Sequence, residues 1–205
     1  MVTKLKKVHS RGYVDYVVEH NGEKIYDIHL KERPLKLHLR DESLLIGKDD
    51  AVLYEIKMNT QSRNNNWTSE VFNHSGEQLG ISHRRDKKVN FFFGHTFYEF
   101  EFEGRRFETF AMSIKGIKFL VFDIETGEQI GLAESSGVLH NNLNEWILYA
   151  ENEQNNLITL LATLEIDYRR FLRRARPQNN VQKIVIGAPK KLKERYRSSF
   201  KNGLV

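Results

Sequence analysis

The run 152-NEQNNLITLLATLEIDYRRFLRRAR-176 decides how this chain is read. Leu157, Ile158, Leu160, Leu161, Ala162, Leu164, Ile166 and Tyr168 follow the pair Asn155-Asn156, which is able to cap a helix. Plotted at the helical period, the first two turns are apolar nearly all round, broken only by Thr159 and Thr163. Such a helix has no face to give to water and must be enclosed on most sides. It would lie near 156–174, with Pro177 ending the body of the protein. The alternative is one more strand over Asn156 to Ile166, because periodicity does not separate helix from strand in a continuous apolar run.

Outward from that run, most of the first 150 residues read as short strands, with β-branched and aromatic residues punctuated by glycine beside a polar neighbour. YVDYVVEH is followed by Asn21-Gly22, a pair that readily takes the positive φ angles of a two-residue hairpin, and then by EKIYDIHL. The turns at Ser75-Gly76 and Thr126-Gly127 resemble it, each leading through Gly-Glu into an aliphatic residue. They sit in a repeat: EVFNHSGEQLGI at 70–81 recurs as LVFDIETGEQIGL at 120–132, with one extra residue before the glycine. YEFEFEGRRFETF forms a further hairpin with Tyr98, Phe100 and Phe102 on one face, Glu99, Glu101 and Glu103 on the other, and Gly104 in the turn. Its acids would repel a phosphate backbone, so the aromatics are core residues rather than a base-stacking platform. IKFLVFDI from Ile117 and NEWILYAE from Asn144 add strands, and the class is mostly β, spaced as barrels and sandwiches are.

Hairpins repeating a V-F-x-x-x-G-E-x-[IL]-G theme ahead of a C-terminal apolar helix ending in Ile166-Asp167 resemble the tubby C-terminal, LURP-one-related and phospholipid scramblase superfamily. The resemblance covers residues 10 to 172 and rests on VFNHSGEQLG, VFDIETGEQIG and LITLLATLEIDYRRF. It implies a closed antiparallel barrel of about twelve strands around a buried hydrophobic helix. The physics agrees, since a wide barrel needs something to fill it. For function it implies less: tubby domains bind phosphoinositide head groups through basic side chains on the barrel surface, and scramblase-like members are membrane proteins. This chain departs from the pattern in lacking a membrane-spanning run, a cysteine for palmitoylation and any motif alignable with a head-group site. The resemblance therefore carries the fold and no site residue.

Composition narrows the chemistry. At 205 residues and 40% hydrophobic, the chain can bury one sizeable core. We expect one barrel domain over 1–176 and a tail over 177–205. The absence of cysteine excludes disulfides, thiolate metal sites and cysteine nucleophiles, and suits a reducing cytosol. MVTKLKKVHSRGYVDY has a basic start with no apolar run behind it, so no secretory leader is expected, and the sequons at Asn66 and Asn73 are chance matches. No phosphate-binding glycine loop or nucleophile elbow occurs. His74 and His83 could face one another across the second hairpin, though a third metal ligand is not evident. Asp49 with Asp50, and Glu125 with Glu128, lie beside turns, where acids are commonplace. Trp67 and Trp146 read as packing residues. We expect no catalytic residue, no metal and no cofactor: the protein is not an enzyme.

Charge divides the chain more sharply than its net +5 suggests. Residues 1–168 hold 20 Lys and Arg against 26 Asp and Glu, whereas residues 169–205 hold 12 against 1. An anionic partner therefore belongs at the C-terminus. Arg169, Arg170, Arg173, Arg174 and Arg176 cluster at the exit of the apolar helix, where two or three would oppose the macrodipole and the others are surplus. After a short strand from Lys183 to Ile186, Pro189 introduces a helix over 189–201. Leu192, Tyr196 and Phe200 recur every fourth residue as an apolar stripe, and Lys190, Lys191, Lys193, Arg195, Arg197 and Lys201 take the other faces. This basic amphipathic helix suits an anionic membrane surface, its stripe dipping into the interface and its cations meeting phospholipid head groups. The same cations could bind nucleic acid or a ribosome, or the tail could dock on the protein's own acidic body, leaving a protein-interaction scaffold. We expect a cytoplasmic barrel, peripheral at the membrane, that binds anionic phospholipid through this segment.

Overall fold

In the computed structural model the described residues are 1–10, 13–33, 41–59, 68–90, 93–113, 117–135, 138–140, 145–171, 181–183 and 190–204. The strands are Val2–Ser10 (β1), Tyr13–His20 (β2), Glu23–Arg33 (β3), Asp41–Lys48 (β4), Ala51–Asn59 (β5), Thr68–Asn73 (β6), Gln78–Asn90 (β7) and Phe93–Phe102 (β8). They continue as Arg105–Ser113 (β9), Ile117–Asp123 (β10), Gln129–Ser135 (β11), Val138–His140 (β12), Glu145–Ala150 (β13) and Val181–Lys183 (β14). The helices are Glu153–Phe171 (α1) and Lys190–Arg195 (α2). Twelve strands close into one antiparallel barrel in the order β1-β13-β11-β10-β9-β8-β7-β6-β5-β4-β3-β2, and β12 pairs with β14 apart from it. The short strand thus lies at Val181–Lys183; Ile184 to Ile186 fall outside the described residues.

Turn chemistry sets one rim of the barrel. Asn21 and Gly22 take φ of 51° and 83°, Asp49 and Asp50 take 50° and 65°, and Glu103 and Gly104 take 50° and 76°, the positive pairs that two-residue hairpins need. Glu103 therefore belongs to the turn and not to the acidic face of β8. The two copies of the repeat build one device twice. Each has a bulge at its Val-Phe step, between Val71 and Phe72 and between Val121 and Phe122. The bulge is followed by an Asx residue whose side-chain oxygen caps the turn: Asn73 Oδ1 accepts from the amides of Ser75 and Glu77, and Asp123 Oδ1 from those of Glu125 and Thr126. Gly76 and Gly127 then carry the positive φ. The repeat is a wall hairpin used twice.

Helix α1 enters from that rim and runs through the barrel. Asn152 Oδ1 accepts from the Asn155 amide at 2.8 Å and is the N-cap, so Asn155 and Asn156 lie inside the helix instead of capping it. Residues 158–168 are buried throughout, which settles the run as helix rather than strand. Their apolar side chains join one core with inward residues of the wall, among them Leu5, Val18, Ile28, Leu44, Ile56, Val71, Phe100, Phe119 and Leu148. Each fully buried Leu or Ile there contributes about 1.5–3 kcal/mol. Thr159 and Thr163 tolerate burial because their hydroxyls donate back to the Asn155 and Thr159 carbonyls, both at 2.7 Å. Wall and helix approach closely at Gly131, where a β-carbon would overlap the Thr159 side chain.

Two acids on this helix are also buried, and each has a partner on the wall. Glu165 accepts from Ser69 at 3.0 Å. Asp167 pairs with Lys7 at 2.7 Å, both side chains being 0% exposed, and accepts from Tyr16 Oη at 2.7 Å and Trp146 Nε1 at 3.0 Å. Trp146 is a core residue as expected, stacked on Phe119 at 4.3 Å between ring centroids. Trp67 lies outside the described residues.

On the opposite face of the wall a second apolar cluster forms from Phe110, Met112, Leu120, Phe122, Leu132 and Tyr149. Strand β10 is consequently buried along its whole length, with Phe119 and Val121 facing the helix and Leu120 and Phe122 facing outward. An outward apolar face needs a cover, and the C-terminal segment supplies it: Tyr196, Phe200 and Leu204 pack against this cluster.

Candidate functional site

The basic residues expected to bind an anion divide by what surrounds them. Arg169 and Arg170 belong to the last turns of α1, and their side chains lie outside the description; Arg173, Arg174 and Arg176 lie outside the described residues altogether. The side chains of Lys191 and Leu192 are likewise outside it. The Lys190 side chain is 92% exposed, with Glu194 Oε1 3.9 Å away. Lys193 and Arg197 are exposed. Arg195 and Lys201 instead face the barrel.

The expected helix over 189–201 is shorter than its spacing suggested, ending at Arg195. Beyond it the chain tightens into turns closed by three-residue bonds, Phe200 N to Arg197 O at 3.1 Å, Asn202 N to Ser199 O at 2.9 Å and Leu204 N to Lys201 O at 3.1 Å. Ser198-Ser199 favours such turns over helix, because serine hydroxyls compete for backbone groups. Tyr196 and Phe200 of the proposed membrane-contacting stripe are partly buried against the outer wall, so in this conformation they meet protein.

Polar links register the segment on the wall. Arg195 Nη1 donates to Glu108 Oε1 of β9 at 2.8 Å, and its guanidinium lies 4.1 Å from the centroid of Phe122 and 5.3 Å from that of Phe110. The Arg197 amide donates to Gln129 Oε1 at 3.2 Å. Lys201 Nζ donates to Glu134 Oε2 of β11 at 2.9 Å and lies over the Tyr149 ring, while Lys118 of β10 pairs with Glu134 Oε1 and sits 5.4 Å from the Tyr196 ring centroid. Burial opposes the charged form of Glu134, but hydrogen bonds from Lys118 and Lys201 outweigh it and hold its pKa below the ordinary carboxylate value. The bond to Glu134 correspondingly raises Lys201. The site is thus a wall of aromatic rings between two carboxylates, filled by a basic aromatic segment whose Lys190, Lys193 and Arg197 are exposed.

Other candidates separate in space. His83 pairs with Thr68 at the start of β6, whereas His74 lies in the turn beyond its end, so the two imidazoles do not converge. Among the described residues no group of three or more His, Asp or Glu could hold a metal ion. An outer groove of about 260 Å³ over β7 to β9 contains His83, Arg85, Glu99, Glu101 and Arg106, with Arg85 Nε paired to Glu99 at 2.9 Å. No helix among the described residues is long and apolar enough to cross a membrane.

Sequence reasoning passed over Lys7, Tyr16 and Asp167 as a cluster, and Glu108 and Glu134 as receptors for the tail. A usable signal existed for the first: Glu165 and Asp167 interrupt an otherwise apolar buried helix, and buried acids require partners. Nothing local marks Glu108 or Glu134, since both stand at ordinary outward strand positions. Compared with protein-family models, with curated proteins and with solved structures, the chain matches none.

Proposed function

We propose that this chain is a non-enzymatic, tubby-like barrel protein that binds anionic phospholipid head groups at a membrane surface through its basic C-terminal segment. The carrying observation is how that segment lies: its rings rest on the barrel while Lys190, Lys193 and Arg197 are exposed to solvent. Each exposed cation contributes about 1 kcal/mol near an anionic surface. Three give about 3 kcal/mol, roughly a hundredfold in affinity, which suits reversible peripheral contact and not permanent anchoring. Membership of the tubby-like superfamily is supported by the closed barrel of twelve strands wound round a C-terminal apolar helix, the architecture the sequence resemblance implies.

Co-sedimentation at physiological salt tests the reading. The full chain should pellet with vesicles containing phosphatidylserine and not with phosphatidylcholine alone. Lys190→Glu with Lys193→Glu and Arg197→Glu should abolish pelleting while the thermal midpoint holds. Unchanged pelleting of the triple variant removes this ridge from the mechanism, and no pelleting of the parent chain removes lipid binding. A parent chain that ignores vesicles but binds RNA with a steep salt dependence would point to the nucleic-acid reading.

A further inference from the structure

Resting on the lipid-binding reading, we infer that the C-terminal segment is a latch: an anionic membrane lifts residues 195–204 off the barrel and bares the aromatic, acid-flanked surface beneath them. The residues that hold the segment down are the ones a bilayer would also take. Arg195 and Lys201 are held by the carboxylates of Glu108 and Glu134, for which phosphate head groups are direct competitors as oxyanions. Tyr196 and Phe200 rest on apolar side chains, for which the membrane interface is an equivalent resting place. One set of groups cannot satisfy both partners at once. Binding that uses the stripe therefore draws on an open state and shifts the population toward it.

The hold is of a kind that opens readily. Residues 196–204 add no strand to the barrel, and their described polar links to it are the Arg197 amide bond to Gln129 and the ion pair of Lys201 with Glu134, joined by that of Arg195 with Glu108. The side chains of Arg195 and Lys201 remain 37% and 36% exposed, so water and salt already reach both pairs. Segments held in this way lie at the low end of local stability. The surface they cover does not: Met112, Leu120 and Leu132 are each 0% exposed and belong to the wall itself.

The absence of cysteine makes the latch measurable. A single thiol from Leu132→Cys reports on the outer wall, and one from Ala162→Cys, within α1, reports on the barrel interior. Both variants of the full chain are treated with a thiol-reactive dye, alone and with phosphatidylcholine vesicles with or without phosphatidylserine, and the same samples are sedimented. Anionic vesicles should speed labelling of Leu132→Cys about tenfold or more and leave Ala162→Cys unchanged. Absence of pelleting sinks the lipid reading and the latch with it. Pelleting with Leu132→Cys still protected sinks the latch alone, as does equal acceleration at Ala162→Cys, which would mean the whole barrel opens. A second arm loosens the latch without touching the tail. Glu108→Gln with Glu134→Gln should tighten vesicle binding severalfold more than Glu70→Gln with Glu101→Gln, which removes equal charge elsewhere on the wall. Equal effects from the two pairs would overturn the latch.

Discussion

Replacing Lys7 by methionine tests whether the barrel is tied to its central helix by charge. Lys7 and Asp167 are wholly enclosed and 2.7 Å apart, and Tyr16 and Trp146 spend their own donors on the same carboxylate. Loss of one partner from a buried pair costs about 3–5 kcal/mol, because the survivor is left as an uncompensated buried charge. In Lys7→Met the Tyr16 and Trp146 bonds stay with Asp167, and methionine refills the space of the lysine stem, so the cost should fall near the lower end, about 3 kcal/mol. Asp167→Asn instead removes the carboxylate from a buried ammonium and should cost a similar amount. The double variant buries no charge, while the asparagine carbonyl still accepts from Trp146. It should therefore be no less stable than either single variant, giving a non-additivity of about 3 kcal/mol. Urea unfolding of the four proteins, extrapolated linearly, measures this cycle. Against a total stability of about 5–15 kcal/mol the single effects are large and easily resolved. A Lys7→Met cost below about 1 kcal/mol, the size expected of an exposed pair, would refute the coupling. So would single costs that add within about 0.5 kcal/mol.

Two further outcomes follow from the same interior. Gly131→Ala places a β-carbon where Thr159 already sits and should cost about 1–3 kcal/mol by overpacking. Thr159→Ala in the same chain should recover part of that loss in a thermal melt. Burial, and then the Asp167 charge and hydrogen bond, raise the pKa of Tyr16 well above its ordinary 10.0. The group thus holds its proton in the folded state after the unfolded chain has lost it, so its contribution to stability is complete below about pH 10 and is lost as pH rises through the folded value. Tyr16→Phe, though less stable at neutral pH, should flatten that alkaline decline in a pH series of urea melts. An unchanged decline would mean that Tyr26, Tyr54 and Tyr149, whose burial also raises them, account for it.

Much of the barrel was readable residue by residue because its signals are local. Alternation along β8 separates Tyr98, Phe100 and Phe102 from Glu99 and Glu101 through pleat geometry alone, and Asn21-Gly22 marks a hairpin through its own backbone preferences. The apolar perimeter of α1 announced an enclosed helix for a similar reason: whatever surrounds it, such a surface cannot face water. Strand β10 marks the limit. Its apolar run from Phe119 to Phe122 says that both faces are covered there and does not say by what.

What the sequence determined by itself was the class of each surface, apolar or charged, inward or outward. The tertiary structure alone decided the pairings. Lys7 stands beside Lys4 and Lys6 with no difference of charge to set it apart; the packing of β1 around α1 sends it inward to a carboxylate 160 positions away and leaves Lys4 in solvent. The stripe of Tyr196 and Phe200 likewise suits a membrane or a protein wall equally well, because burial of apolar area does not depend on what does the burying. Its present place on the wall depends on Phe122, Glu108 and Glu134, which β9, β10 and β11, far from the tail in sequence, bring onto one face.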